Sequence, residues 1–499
     1  MGWLSRLFSS PMAAPRTVAR HALRMIRGSY DAARTTDDNR KHWANVDSLS
    51  ANAALSPSVR QTLRERARYE VANNCYAAGL VRTVANDLIG TGPTLQIVAP
   101  DGHDANPIER SWSQWAKAVK LARKLRCMRQ CLSRDGEAFA VMFTNPKIDH
   151  PVKLDLRLVE AEQVTTPTLI RENAVDGIVF DEYGNPLAYH ILRTHPGDVL
   201  HTMEYDEVPA EYVIHWYRLE RPGQKRGVPI LAPALPLFSK LRRFTLAVLG
   251  AAEAAAMQAG VLYTDGAPHD EDVEGEAFES VEFERNMFTT LPGGYRLEQL
   301  KAEQPTTTYS EFKAELIDEA ARCENVPSNI ARGNSSAYNY ASGRLDNQMF
   351  GRSQHVDHSE VEEEVIDRIW AAWIDEAARE PGVIPDGFPP MAECSHEWFW
   401  DGREHVDPNK EANAQATRLA NLTTSLAEEW ANRGRDWEKG MRQIARERQL
   451  LAELGLSLPD ATQVTTASSA ASALSDIADG DESAAGQAGL AIANRRGGR

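Results

Sequence analysis

Residues 221–235 read RPGQKRGVPILAPAL, and about a hundred residues later 339–344 read NYASGR. The first stretch packs arginine, glycine and proline around a turn that opens into a long helix. The second is a loop of glycine, serine and an aromatic ring that leads into another helix. Neither has the composition of a catalytic site.

The character of the chain changes at Pro229. From Ala234 to Gly260 the spacing predicts one long helix whose second half is poor in large side chains. Ala247, Gly250, Ala251, Ala254 and Ala255 leave no wide apolar stripe of the kind a surface helix turns to its own core. Small residues let neighbouring helices approach closely, which suits a palisade of identical helices from adjacent subunits. The other reading is an alanine-rich helix of high propensity buried in a large core.

Upstream lies a mixed lobe. Residues 56–86 carry helical spacing, with Ser56 as N-cap, Pro57 at the first position, and Leu63, Ala67, Val71 and Cys75 on one face. The helix runs into the turn Gly90-Thr91-Gly92-Pro93, after which 94–98 alternates like a strand. Residues 108–132 return to helix, with Trp112 and Trp115 as core anchors. Strands are expected at 136–143, 154–159, 177–181, 187–192 and 211–216, with DEYGNP at 181–186 as a hairpin turn.

Downstream, 265–284 is densely acidic and includes Asp270, Glu271, Asp272, Glu274 and Glu276. It is too polar for a core. It reads either as a solvated surface or as a projecting insertion on which a partner docks. Strand-like residues follow at 287–300, around Pro292-Gly293-Gly294. A helix from Thr308 to Cys323 stops before Val326-Pro327, because the residue ahead of proline is disfavoured in helical geometry. A loop over 328–342, a long helix over 343–378 and two short helices after Asp407-Pro408, broken near Gly434, complete the ordered part. Beyond Leu458 the composition is that of a disordered tail.

At 499 residues the chain exceeds the size of one hydrophobic core, so two or more lobes are expected. Five cysteines without a CxxC pair suit a reducing compartment. Cys127 and Cys131 share a helical face, as buried thiols or as a metal or redox pair. The N-terminal arm is basic and broken at Pro11, a poor secretory signal. The most apolar stretch, 246–262, is interrupted by Glu253 and Gln258 and is short of the roughly 20 residues of a bilayer span, so no membrane is expected.

No phosphate loop, HExxH, GxSxG or dinucleotide fingerprint occurs. The best metal-ligating candidates are His355, His358 and Glu362, at helical intervals, which would suit zinc in a hydrolase. Asp401 with Glu404, or Glu360 with Glu363, form carboxylate pairs that nothing assigns to a cleft. No cofactor or metal is expected.

Five segments carry a family resemblance, in the family's order: NNCYAAGLVRTVANDLIGTGPTLQ (73–96), VDGIVFDEYGNPLAYHILRTHPGD (175–198), VPAEYVIHWYRLERPGQKRGVPILAPAL (208–235), NSSAYNYASGR (334–344), and VDPNKEANA with GRDWE (406–414, 434–438). They resemble the portal proteins of lambda-like tailed phages. The resemblance implies an α+β chain with a mixed α/β wing lobe, long stem helices, a protruding clip and a helical crown, assembled as a ring. On that basis the chain divides into a basic arm (1–55), wing (56–245), first stem helix (246–262), clip (263–306), second stem helix (307–325), tunnel loop (326–345), wing return (346–400), crown (401–458) and tail (459–499).

The implied function is a channel of about twelve subunits at one capsid vertex. Double-stranded DNA is packaged through it without sequence readout and later ejected. The implied partners are the terminase large subunit, the head–tail adaptor and the major capsid protein, after assembly in the bacterial cytoplasm. Asn334, Ser335, Ser336, Tyr338, Asn339, Tyr340 and Arg344 become the expected channel loop. The small residues of 246–262 become the stem packing, and the acids at 270–276 the clip docking site. The family has no catalytic residues to carry over. A net charge of −16 fits a wall that lets phosphates slide better than one that grips them, though many soluble proteins are acidic for solubility alone. The alternatives are a non-portal capsid or adaptor protein, and a hydrolase built on His355 and His358.

Overall fold

The computed structural model describes residues 36–37, 39–100, 103–166, 174–256, 260–264, 295–299, 309–336, 338–402 and 408–456. The chain divides into two units, Met1–Ala54 and Leu55–Arg499. The first contributes a short helix, α1 (Ala51–Ala54). The second carries the architecture that follows.

The helical stretch expected over 56–86 is two helices. In α2 (Pro57–Asn73) proline occupies the first turn, but the Ser56 side chain makes no capping bond. Asn74 then leaves helical geometry, and its Oδ1 accepts from the amides of Tyr76 at 3.1 Å and Ala77 at 3.4 Å, capping α3 (Cys75–Ile89). Asparagine is among the strongest N-caps, so one side chain creates the break. Likewise 108–132 splits into α4 (Asn106–Ala118) and α5 (Leu121–Arg134) at Lys120, whose φ of 55° is left-handed.

Between α3 and α4 runs β1 (Thr94–Val98). The central strand β2 (Glu137–Thr144) pairs antiparallel with β3 (Leu154–Val159). A second sheet runs in order through β4 (Ala174–Val175), β5 (Ile178–Phe180), β6 (Pro186–Leu192) and β7 (Tyr205–Pro209). On its other edge β2 pairs with β8 (Val213–Tyr217). Successive side chains of β2 enter different cores: Ala138, Ala140 and Met142 join the larger, Phe139 and Val141 the smaller. Coverage on both faces is why this strand reads as an unbroken apolar run. The expected hairpin forms, with Asp181 accepting from the amides of Tyr183 (2.9 Å) and Asn185 (2.7 Å). The expected strand at 211–216 begins instead at Val213, after a 3-10 turn.

Helix α6 (Leu235–Ala256) follows the RPGQKRG turn. It is shorter than the sequence spacing suggested: Gly260–Thr264 is a strand, β9, paired antiparallel with β10 (Tyr295–Gln299). The first stem helix therefore does not extend to residue 262. The acidic stretch 265–284 lies outside the described residues, between the two strands of this ribbon. Helix α7 (Tyr309–Ala321) ends ahead of Val326-Pro327 as expected. A five-residue helix, α8 (Ser328–Arg332), precedes α9 (Tyr340–Val361), which continues through a π turn (Glu362–Ile366) into α10 (Asp367–Ala377).

Strand β11 (Ser395–Phe399) returns to pair antiparallel with β1, Thr94 opposite Phe399. This closes the larger core, where Trp112 lies 4.8 Å from Trp115 and 5.5 Å from Trp373 between ring centroids. A separate core gathers Ala67, Leu80, Val84, Phe238, Ala320 and Phe350 from α2, α3, α6, α7 and α9. Three helices rather than two complete the described chain: α11 (Pro408–Ala420), α12 (Leu426–Ala431) and α13 (Trp437–Glu453). Asp407, expected to open α11, and the C-terminal tail beyond residue 456 lie outside the described residues, as does Pro11 of the arm. Among the described residues no helix is long and apolar enough to cross a membrane.

Candidate functional site

The RPGQKRG turn is an internal joint. The Arg226 side chain is 1% exposed. Its guanidinium meets the Glu137 carboxylate along one edge, Nη2 to Oε1 at 2.7 Å and Nε to Oε2 at 2.8 Å, and donates to the carbonyls of Val164 (3.1 Å), Ala161 (3.3 Å) and Asp176. Glu137 also accepts from the Gly227 amide at 3.0 Å and contacts His215 Nε2 at 3.1 Å. From α2, Arg60 pairs with Asp176 and Arg64 with Glu162 at 3.0 Å.

Burial alone would push the Glu137 carboxyl up; Arg226 and the His215 hydrogen bond overcome it and hold it well below the usual carboxylate range. Burial keeps His215 below its ordinary value despite that carboxylate. The glycine is compulsory, because a Cβ on Gly227 would sit 2.1 Å from the Gly136 carbonyl oxygen. The neighbouring residues are also spent internally. Gln224 Nε2 donates to the Arg226 carbonyl (2.8 Å), and Lys225 donates to the Gly184 carbonyl (2.7 Å) while lying over the Phe180 ring.

The second singled-out segment is exposed. The expected loop over 328–342 is reduced, since 328–332 and everything from Tyr340 onward are helical. Gly333, at φ 64°, turns the chain out of α8. Asn334 Oδ1 accepts from the Ser336 amide (2.9 Å), and the Tyr338 amide donates to the Ser335 carbonyl (3.1 Å). Asn339 caps α9 by accepting from the Ser342 amide at 2.9 Å. Asn334, Ser335, Ser336 and Asn339 are exposed and Tyr338 is half-buried; Tyr340 lies in the first turn of α9. Arg344 is on the helix rather than the loop. It is exposed and has no carboxylate partner among the described residues. Arg332 anchors the base of the loop through Asp318, Nε to Oδ1 2.7 Å.

On α6, Ala247 and Gly250 are exposed and Ala251 is half-buried, beside the exposed Leu246 and Leu249. A Cβ on Gly250 would meet nothing within 4 Å. Among the described residues nothing packs over Ala247 or Gly250. The backbone at Ala254 and Ala255 continues the helix; their side chains, and the acids Asp270, Glu271, Asp272, Glu274 and Glu276, lie outside the described residues.

The hydrolase candidates do not assemble. His358 Nε2 is 2.7 Å from the Leu88 carbonyl, and its ring stacks on Trp400 at 4.5 Å. Glu362 accepts from Trp400 Nε1 at 2.5 Å. Both are supports for a tryptophan. Asp401 accepts from the Thr91 amide (2.6 Å) and hydroxyl (2.7 Å), fastening the glycine turn. Among the described residues the grouping with metal-like spacing is one the sequence reading missed: Glu160, Glu162 and His195. Arg68 meets both carboxylates, at 3.3 and 2.9 Å, and Arg64 meets Glu162, so two guanidiniums already supply the positive charge a cation would bring.

The sequence model of the family described as "Phage portal protein, lambda family" matches residues 37–354. A curated relative from Halomonas phage phiHAP-1, "Probable portal protein", is 25% identical over 441 residues, covering 80% of this chain and 82% of the relative. Among solved structures, the chain is similar to one in the neck of a native gene transfer agent (GTA) particle computed with C12 symmetry (14% identity, TM-score 0.41, 75% of this chain and 92% of that one). It is also similar to one in the neck of an empty particle computed with C6 symmetry (14% identity, TM-score 0.43, 77% and 98%).

Proposed function

Since this chain belongs to the lambda family of phage portal proteins, we propose that about a dozen copies close into a ring at one capsid vertex, and that double-stranded DNA passes through it. The observation that carries the reading is the family match itself. It runs from the first described residues through the α/β lobe, α6, α7 and the 333–339 loop. The exposed small face of α6 supports it. A face carrying Ala247 and Gly250, with leucines beside it and nothing among the described residues packed over it, is suited to close approach by the same helix of the next copy. Closed cyclic symmetry satisfies every such face without leaving an open end.

In this reading the 333–339 loop and the start of α9 line the channel. Their amide and hydroxyl groups offer transient hydrogen bonds to phosphate and sugar and no base readout. Arg344 is the nearby cation that either brakes the duplex or pairs with an adjacent subunit. The acids at 270–276 form the docking surface for the packaging motor, the terminase large subunit, and later for the head–tail adaptor. The particle sits in the shell of the major capsid protein and is assembled in the bacterial cytoplasm. The protein acts as a conduit and not as an enzyme, and the work of translocation belongs to the motor.

Electron microscopy with size-exclusion mass tests the ring. Twelve chains of 55.3 kDa should give closed annuli of about 600–700 kDa, whereas a stable monomer rejects the reading. Arg344→Ala should leave the annuli intact and impair packaging or retention of DNA; unaltered packaging removes this loop from the mechanism.

A further inference from the structure

A cleft of about 1030 Å³ opens between α4, α5, the glycine turn and α13. In a chain with a net charge of −16 its walls are basic. Arg110 and Lys117 come from α4, Lys120 from the joint, Arg123 from α5 and Arg446 from α13. All five are exposed, and apart from Arg110, which acts on Asp104, none has a carboxylate partner among the described residues. Three further cations are already engaged. Lys439 Nζ lies 2.5 Å from Glu109, Arg442 lies 3.5 Å from Glu438, and Arg126 donates to the Gly90 carbonyl. The acids in the lining are Asp104 and Glu109, and Glu109 is buried and also accepts from the Ile97 amide.

We propose that this cleft binds the phosphate backbone of a DNA duplex, as a gripping contact separate from the sliding contact of the channel loop. Like-charged side chains converging from three elements give this wall a positive field that an anion completes. The large apolar members of the lining, Leu95, Trp112 and Leu121, are each 2% exposed. The cleft thus lacks the apolar anchor around which a protein partner's binding energy collects. It also offers no exposed aromatic platform, which single strands use for base stacking. What it offers is charge at several points, the chemistry of backbone neutralisation. The proposal rests on the portal reading only in its choice of DNA as the polyanion.

The test is fluorescence anisotropy of a labelled 20-base-pair duplex with the full-length protein, from 50 to 200 mM NaCl. Each neutralised phosphate contributes about 0.9 to the slope of log affinity against log salt. The triple variant K117E/R123E/R446E should flatten that slope by about 3, and its neutral counterpart K117Q/R123Q/R446Q should weaken binding in the same direction with an unchanged melting temperature. An unchanged slope in both variants overturns the proposal. So does displacement of nothing by duplex while a synthetic peptide of residues 265–284 binds the wild type and not the variants, since the cleft would then be a peptide dock. Particle mass, measured on the same samples, separates the two readings. Annuli with an unaltered slope discard the cleft and keep the ring; a monomer with a flattened slope does the reverse.

Discussion

The most distinctive residues of the chain, Arg226 and Gly227, touch neither solvent nor any exposed loop. Their task is to complete Glu137. Removing one member of a buried, hydrogen-bonded ion pair leaves the other charged and dry, a loss of about 3–5 kcal/mol. Glu137→Gln should therefore lower the melting temperature sharply, read by calorimetry, while an exposed change such as Gln348→Ala should not. The pH dependence has a definite sign. Glu137 has a folded value well below its unfolded one, so its contribution is complete above about pH 4.3, the ordinary carboxyl value. It drains away as the pH falls through the folded value. Unfolding in acid should thus be steeper for the wild type than for Glu137→Gln. A second residue-scale prediction concerns Cys127, which the Cys131 hydrogen bond draws down to about 6, while burial pushes Cys323 up to about 12. The thiolate is the reactive form. Cys127 should be alkylated by iodoacetamide at pH 7, slowing below pH 6, with Cys323 inert; mass spectrometry after timed quenching reads both. The sequence showed the RPGQKRG stretch to be special but not why, because Glu137 lies 89 residues away from Arg226. Only the paired sheet brings them together.

At the scale of elements, legibility followed locality. β3 and the 181–186 hairpin were readable because turn chemistry and alternation are properties of adjacent residues. β11 escaped because its partner β1 is some three hundred residues away and its own residues, SHEWF, alternate weakly. β7 escaped because its acids mask the alternation of YDEVP. The two helix breaks escaped because Asn74 and Lys120 are compatible with helix interiors on spacing alone. The small-residue face of α6 was legible as a pattern but not as a surface; exposure at Ala247 and Gly250 supplied that. Gly250→Leu tests what the face is for. With open space around it, a leucine there costs the folded chain nothing and gains about 1 kcal/mol of helix propensity. The melting temperature of the isolated chain should hold or rise, and annuli should be lost in size-exclusion mass. Annuli that persist would show that the contact between copies lies elsewhere.

At the scale of the whole molecule, guanidiniums from α2 meet Glu160 and Glu162 where a cation would otherwise sit. Chelation with EDTA, or addition of zinc, should therefore leave the melting temperature unchanged; a shift of several degrees on chelation would mean that Glu160, Glu162 and His195 hold an ion after all. The family and the α+β character were legible because five separated segments kept their order. The basic cleft was not, since its cations come from α4, α5 and α13, whose meeting is a tertiary event. One mechanical consequence follows from the joint ahead of α6. A guanidinium fastened to β2, to the carbonyls beside the hairpin sheet and, through Asp176, to α2 leaves that junction no soft direction. A thrust along α6 is handed on to the α/β lobe as if through a welded strut.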